Sequence, residues 1–427
     1  MKKIAHLVKN PCNPDWRVIK AANAGLSENT AVKIFASAQP NVNQQEIFDG
    51  IEIYRCYPKF EYHSSAEDRN TVTRANLFFD SPSIISYLLD LLINKISRNR
   101  FPVSPRVIAH QRISRYVKKI YMNDILEFAP DIIHAHDLET LDAALTVKKK
   151  INCKVIFDSH EYEVEKNPPA GFFSKLTLHA LEKRMIKKAD LVITVSDEIA
   201  HELKQSYSLN EIPSVIYNVP SKRQFESAGE DDIVFYHPGK SLSDLMSYKY
   251  CGIYIGLLTI NRGIEDSLRA LSMLHDHALI LAGPRNNITF FNSILKLISK
   301  LGLEDRVFIV DNISKGLIGF ISMADYSLVT TLPVCKSSEY SMPNKLFESI
   351  AAEVPIICSN TISAPKFIAE HNLGLVYLAS NHFDLARVIN EVIKSKDLRQ
   401  SFIASDSLKA ELSEKNQYKS LREYYLS

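Results

Sequence analysis

Short apolar runs rich in β-branched residues, each closed by polar residues and followed by a helical pattern, recur through both halves of this 427-residue chain. In the first half they lie at Lys3 to Val8, Val32 to Ala36, Ile51 to Tyr54, Asp131 to His136, Cys153 to Phe157, Leu191 to Ser196 and Ser214 to Val219. In the second half they lie at Tyr250 to Gly256, Ala278 to Pro284, Arg306 to Asp311, Ala324 to Thr330 and Ile356 to Cys358. Continuous apolar runs suit strands covered on both faces, and strand–helix repetition builds parallel sheets with helices on either side. Because the alternation appears independently in each half, the pattern predicts an α/β protein of two doubly covered domains. The length agrees with two domains of about 200 residues.

Composition removes several function classes. With 46% hydrophobic and 23% charged residues and a net charge of +2, the chain is an ordinary globular protein without the basic excess of a nucleic-acid binder. Its six cysteines are scattered, with no CxxC pair, which argues against a zinc site or a disulfide framework and for a reducing compartment. The opening MKKIAHLVKNPCNPDWR reads as a first strand and not as a signal peptide, and no apolar stretch reaches the roughly 18 residues a membrane span needs. The expectation is a cytoplasmic protein.

The stretch EYSMPNKLFESIAAEVPIICSN, Glu339 to Asn360, carries the densest chemistry. Pro343 suits a helix start, and Leu346, Phe347, Ile350 and Ala351 follow at the spacing of one apolar face. Asn344, Lys345 and Glu348 therefore share another face. Free N–H groups at a helix start favour phosphate, and a carboxylate beside them can accept hydrogen bonds from ribose hydroxyls. An ordinary surface glutamate is the plain alternative.

Two consecutive strands in the first half end in imidazoles and acids: HAHD at His134, Ala135, His136 and Asp137, then FDSHE at Phe157 to Glu161. Ligands of open α/β sheets bind at such carboxyl ends. His134 and His136 share one side of their strand, so a metal must be considered, but the sequence offers no third ligand at helical or strand spacing. His160 is open to a purely structural role as a satisfied core histidine. Between Phe60 and Ala129 the alternation breaks. A helix apolar nearly all round, Ile84 to Ile93, precedes Lys95, Arg98, Arg100, Arg106, Arg112, Arg115, Lys118 and Lys119, with no acidic residue from Lys95 to Lys119. This segment is either a core helix with a solvated face or an interfacial segment for an anionic membrane surface.

These blocks, in this order, resemble the retaining sugar-nucleotide glycosyltransferases of GT-B fold, glycosyltransferase family 4, over most of the chain outside roughly residues 60 to 129. The resemblance implies two Rossmann-like domains facing across a cleft. The first would be residues 1–220 with an insertion around 60–129, the second 250–404 after a linker at 221–249, and 405–427 a helix crossing back to the first. Glu348 falls on the second glutamate of the family's Glu-x7-Glu motif, which holds the ribose, while the first position is Tyr340, with Glu339 one residue early. PNKLFE is a recurrent subtype of the block. The family's helix-ending glycine is replaced by Glu353, at a left-handed position where a side chain costs about 1 kcal/mol.

By the same resemblance His160 faces the transferred sugar. Arg17, in an Asp-x-Arg-Val segment after the first strand, contacts a donor phosphate or else serves a cap or salt bridge. His136, Asp137 and Glu161 are cleft contacts. Arg262 falls on the lysine of the family's diphosphate pair and Leu257 on its arginine, so Lys345 is a candidate for the missing cation. Asn344 and Tyr340 complete the donor set. The implied activity is retaining transfer of a sugar from a nucleotide-sugar donor to a glycan or lipid-linked acceptor in cell-surface polysaccharide biosynthesis. No Asp-x-Asp clamp is present, so no metal and no other cofactor is expected. The partners are the donor, the acceptor and an anionic membrane surface through Lys95 to Lys119, with no nucleic acid. The alternatives are a catalytically silent partner subunit or sugar-nucleotide sensor, kept open by Tyr340 and Leu257, and a sugar-nucleotide epimerase.

Overall fold

A computed structural model describes residues 1–39, 42–56, 105–167, 172–227, 232–237, 239–313 and 315–427, without the side chains of 105–112, 173–174 and 311–312. The apolar run at 84–93 and the cations from Lys95 to Arg100 lie outside the described residues.

The strands form two sheets. The first has eight, in the order β3-β4-β2-β1-β5-β6-β7-β8: β1 (Lys2–Leu7), β2 (Thr30–Ser37), β3 (Gln45–Phe48), β4 (Ile51–Cys56), β5 (Ile132–His136), β6 (Lys154–Ser159), β7 (Leu191–Thr194) and β8 (Ser214–Val215). The second has seven, in the order β15-β14-β13-β10-β11-β12-β9: β9 (Ile233–Phe235), β10 (Tyr250–Ile255), β11 (His277–Ala282), β12 (Val307–Ile313), β13 (Tyr326–Val329), β14 (Ile356–Ser359) and β15 (Gly374–Tyr377). The antiparallel pairs are those of the edge strands β3 with β4 and β9 with β12. Parallel register sets Lys3 beside Ala31, His6 beside His134 and His136 beside Asp158. By their contacts the residues divide into two compact units: 1–14, 26–158 and 170–191 in one, 15–25, 159–169 and 192–427 in the other.

The second unit shows why continuous apolar runs give central strands. Along β11, Leu279 and Leu281 join a cluster with Leu268, Leu271 and Ile389, while Ala278, Ile280 and Ala282 join another with Ile253, Phe308 and Ile321. Alternate side chains thus fill two cores, and each large aliphatic contributes about 1.5–3 kcal/mol on burial. In the first unit Arg55 is fully buried and satisfied, donating to the carbonyls of Pro11 (2.8 Å), Asn43 (2.6 Å) and Cys12 (3.2 Å) and to Glu46 (2.6 Å).

Several elements differ from expectation. The stretch 221–249 is not featureless, because β9 pairs with β12 there and Ser241 caps a helix at Leu242–Met246. The tail from Ser405 is three short helices, Asp406–Glu411, Glu414–Gln417 and Lys419–Leu426, since Ser413 caps the second and restarts the chain. The helix Ile264–Ser272 is preceded by Gly263 at φ 69°, where a Cβ would lie 2.4 Å from the Thr330 carbonyl oxygen, so only glycine fits.

Candidate functional site

The helix Asn344–Ala351 organises a cavity of about 560 Å³ whose lining residues all belong to the second unit. Pro343 precedes the helix in extended conformation (φ −70°, ψ 146°); its carbonyl accepts from the Leu346 N–H at 2.9 Å, and no side chain among the described residues caps the Asn344 and Lys345 N–H groups at this end. Leu346, Phe347 and Ile350 anchor the helix in a core with Met342, Cys358 and Ile368. The other face presents Asn344, Lys345 and Glu348 to the cavity, as the spacing implied.

Each of these three side chains is in a defined electrostatic setting. The Asn344 side-chain Oδ1 accepts from the Asn218 side-chain amide at 2.8 Å. Glu348 accepts from the Gln224 amide at 3.1 Å, and burial raises its carboxyl above the ordinary range against the pull of Gln224, Lys20 and Lys345. Lys345 is 6% exposed, its Nζ has no hydrogen-bond partner among the described residues, and it lies 4.0 Å above the Tyr254 ring. Burial, reinforced by the Arg262 guanidinium, lowers its ammonium to about 7.

A second wall follows β10, with Gly256, Leu257, Asn261 and the half-buried Arg262. Thr330 donates to the Arg262 carbonyl at 2.6 Å and Tyr254 to the Leu257 carbonyl at 3.2 Å, fixing the turn that carries both residues. Leu257 stays 36% exposed. Asp15, Arg17, His160, Glu161 and Lys166 line the cavity as well. Asp15 caps the helix Trp16–Ala24 through the Val18 N–H, and the buried Arg17 donates to the Ile216 carbonyl at 2.8 Å. His160 is half-buried at the end of its strand.

The cavity therefore brings together His160, Glu348, Arg262, Lys345, Asn344, Arg17 and Glu161. Tyr340 is not among its lining residues. It ends the short helix Lys336–Glu339, beside the lining residues Ser338 and Ser341. His136 and Asp137 belong to the first unit. There His6, from β1, joins His134 and His136 as the third imidazole that spacing along one strand could not supply. His6 Nδ1 and His136 Nε2 are 3.1 Å apart, but the His134 and His136 rings stack at 4.2 Å with planes 9° apart. A metal must lie in the plane of each ligating ring, which two parallel stacked rings cannot both satisfy. The buried trio reads as a hydrogen-bonded core stack, with His6 held neutral well below 6.5 by burial.

Sequence reasoning missed Lys20, Asn218, Gln224 and Tyr254. Lys20 is buried, donates to Asn218 (2.6 Å) and Val219, and is lowered to about 7 by burial and by Arg17. A lysine on an otherwise buried helix face leaves no pattern. Gln224 did leave one, for Ser221 and Gln224 form a capping box, a Ser-x-x-Gln spacing readable without coordinates.

Residues 247–406 match the family model described as glycosyl transferases group 1, and residues 88–219 match Glycosyltransferase Family 4. TuaC of Bacillus subtilis (strain 168), named as a teichuronic acid biosynthesis glycosyltransferase, is 24% identical over 272 residues, 62% of this chain and 62% of its own length. That match spans less than two thirds of the relative. Sucrose-phosphate synthase from Thermosynechococcus elongatus superposes with a TM-score of 0.70 at 14% identity, over 99% of this chain and 97% of that one. Anabaena HepE, solved with UDP and glucose, gives 0.61 at 14% identity, over 100% and 98%. At these identities the likeness is one of fold. With its pair of mostly parallel sheets the chain has the fold of these GT-B structures, and two of its stretches match glycosyltransferase family models.

Proposed function

We propose that the protein transfers a sugar from a nucleotide-sugar donor to a glycan or lipid-linked acceptor in cell-surface polysaccharide biosynthesis, with retention of configuration. The observation that carries this reading is one cavity holding an uncapped helix start, Lys345, Arg262, Glu348 and His160 together. Glu348 receives the ribose hydroxyls, and Lys345, Arg262 and the first-turn amides of Asn344–Ala351 receive the diphosphate. The acceptor hydroxyl attacks on the face from which the diphosphate departs. Its proton passes to a diphosphate oxygen, the new glycosidic bond forms as the sugar–phosphate bond breaks, and His160 holds the sugar. Neither a carboxylate nucleophile nor a metal ion is needed. The teichuronic acid assignment in the name of TuaC and the UDP and glucose held by HepE support the substrate class.

Purified protein incubated with a panel of sugar nucleotides should slowly hydrolyse its donor, releasing sugar of unchanged anomeric configuration, at a rate that EDTA leaves intact. His160→Ala should lower that rate by about 10²-fold with little change in donor affinity. An unchanged rate with a lowered melting temperature would make His160 structural, and loss of activity in EDTA restored by manganese would remove the metal-free mechanism. Leu257, an exposed apolar side chain in the cavity at a position where the resemblance implies a cation, favours one second reading, a silent partner subunit or sensor. Binding without any turnover would select it.

The protein works at the inner face of the cell membrane, docking through Lys95 to Lys119. Among the described residues no helix is long and apolar enough to cross a membrane. Reversing the charges of Arg112, Arg115, Lys118 and Lys119 should abolish binding to anionic vesicles, since each such cation is worth about 1 kcal/mol near an anionic surface. Lys118 also pairs with Asp142 at 3.1 Å, so an unchanged melting temperature must accompany the loss. Retained binding would leave the segment a solvated face.

A further inference from the structure

We propose that Lys345 is a proton-coupled diphosphate clamp: the empty site holds it largely as an amine, and a nucleoside diphosphate entering the cavity draws a proton from solvent onto Nζ to form the ammonium that grips it. The proposal rests on the donor-site reading above and adds its regulation by pH.

The geometry places this amine where no acceptor among the described residues holds its proton. Lys345 is 6% exposed and its Nζ has no hydrogen-bond partner among the described residues, although it lines the cavity at the uncapped start of its own helix. From β10 it faces Tyr254, and from β14 the buried Cys358. Burial pushes both of those acids up to about 12, so near neutral pH neither offers negative charge. From the turn after β10 it faces Arg262, a like charge. Glu348, on its own helix, is the carboxylate among the described residues that favours its ammonium, and that carboxylate already accepts from Gln224 and is itself raised by burial. The Tyr254 face at 4.0 Å favours a cation, while desolvation and the Arg262 charge lower the group to about 7.

A diphosphate reverses this balance. It brings negative charge beside Nζ without displacing a protein acceptor, and an anion in a low-dielectric cavity raises the affinity of a neighbouring amine for its proton. Only a proton moves, from solvent to Nζ, and no covalent bond of the donor changes. The affinity of the site therefore falls as pH rises above the free amine's value. Departure of the diphosphate after transfer returns the proton, so the clamp loosens as the product leaves.

The test is calorimetry of UDP, ADP and GDP at about pH 8, where the terminal phosphate is fully ionised, in buffers of different ionisation enthalpy. For the nucleotide that binds, the observed enthalpy should vary with buffer enthalpy at a slope near one proton taken up. Its affinity should fall about tenfold per pH unit above roughly pH 7.5, the limit for one linked proton. Lys345→Met should remove the slope and weaken binding at least about tenfold at the low end of that range. Lys20→Met, which removes the other amine lowered to about 7, should keep the slope. A zero slope with tight binding, or a slope that survives Lys345→Met, would overturn the clamp and leave the donor site standing. If Lys345→Met fails to fold, the pH profile of the unmutated protein decides, and a flat profile overturns the proposal. No binding of any of the three nucleotides at millimolar concentration would remove the donor site and the clamp together.

Discussion

Glu348 draws its importance from three side chains around it, Lys345 on its own helix and Lys20 and Gln224 from distant parts of the sequence. Gln224 donates to it at 3.1 Å, and Lys20 and Lys345, each lowered to about 7 by burial, both favour its ionised form. A carboxylate so placed can accept two hydrogen bonds from vicinal ribose hydroxyls, each charge-assisted bond being worth about 1.5–3 kcal/mol. Glu348→Ala should weaken nucleoside diphosphate binding at least about tenfold in calorimetry. A 2′,3′-dideoxy nucleotide should show the same loss on the unmutated protein, and the two losses should not add, because both remove one interaction. Parent-like affinity of Glu348→Ala would refute the ribose assignment. The helical spacing of Asn344, Lys345 and Glu348 was enough to place them on one face. Their partners Gln224, Asn218 and Tyr254 were not legible, since each lies about 90 to 126 residues away along the chain, and local pattern carries no information across that distance.

At the scale of elements, the helix that carries this site ends in a strained turn. Glu353 adopts φ 59°, with the Val354 N–H bonded to the Ser349 carbonyl (3.1 Å) and its own N–H to that of Ile350 (3.1 Å). This is the hydrogen-bond pattern of a Schellman motif, in which the left-handed residue is usually glycine. The left-handed position was expected from the sequence block, and the ion pair to Lys409 at 2.7 Å was not. The strain costs about 1–2 kcal/mol, whereas a partly exposed pair contributes about 0–1 kcal/mol. Glu353→Gly should therefore stabilise the protein by up to about 1 kcal/mol, read as a higher urea midpoint at unchanged slope. A lower midpoint would mean that the Lys409 pair outweighs the backbone strain. The tail shows the converse failure of local reading. Its charged, aromatic-ended pattern suited one helix, but Ser413 supplies a cap to the Asn416 N–H, and the chain breaks into three short helices.

Across the whole molecule, buried bases set how stability responds to acid. His6 and His277 are both held below 6.5 by burial, His277 at about 4. The unfolded chain protonates these imidazoles near 6.5 while the folded protein keeps them neutral, so the unfolded state binds more protons in that window. Stability is then full above about pH 6.5 and is lost as pH falls towards 4. Lys20 and Lys345 act with the same sign higher up, and the unliganded protein should gain stability as pH rises from about 7. The melting temperature should thus decline from about pH 6.5 to 4.5, and His277→Gln should shallow the decline. A flat profile would mean that the folded protein protonates these rings as readily as the unfolded chain. The amino-acid sequence by itself determined two doubly covered α/β domains, the positions of most strands along the chain and the face on which Lys345 and Glu348 stand, because apolar periodicity and helix starts are local properties. Tertiary structure alone decided that His6 would complete a buried imidazole stack and that Lys20 and Gln224 would reach Glu348. It also decided that Lys345 would lie buried without an acceptor among the described residues, since desolvation and the choice of hydrogen-bond partner exist only once distant segments exclude water together.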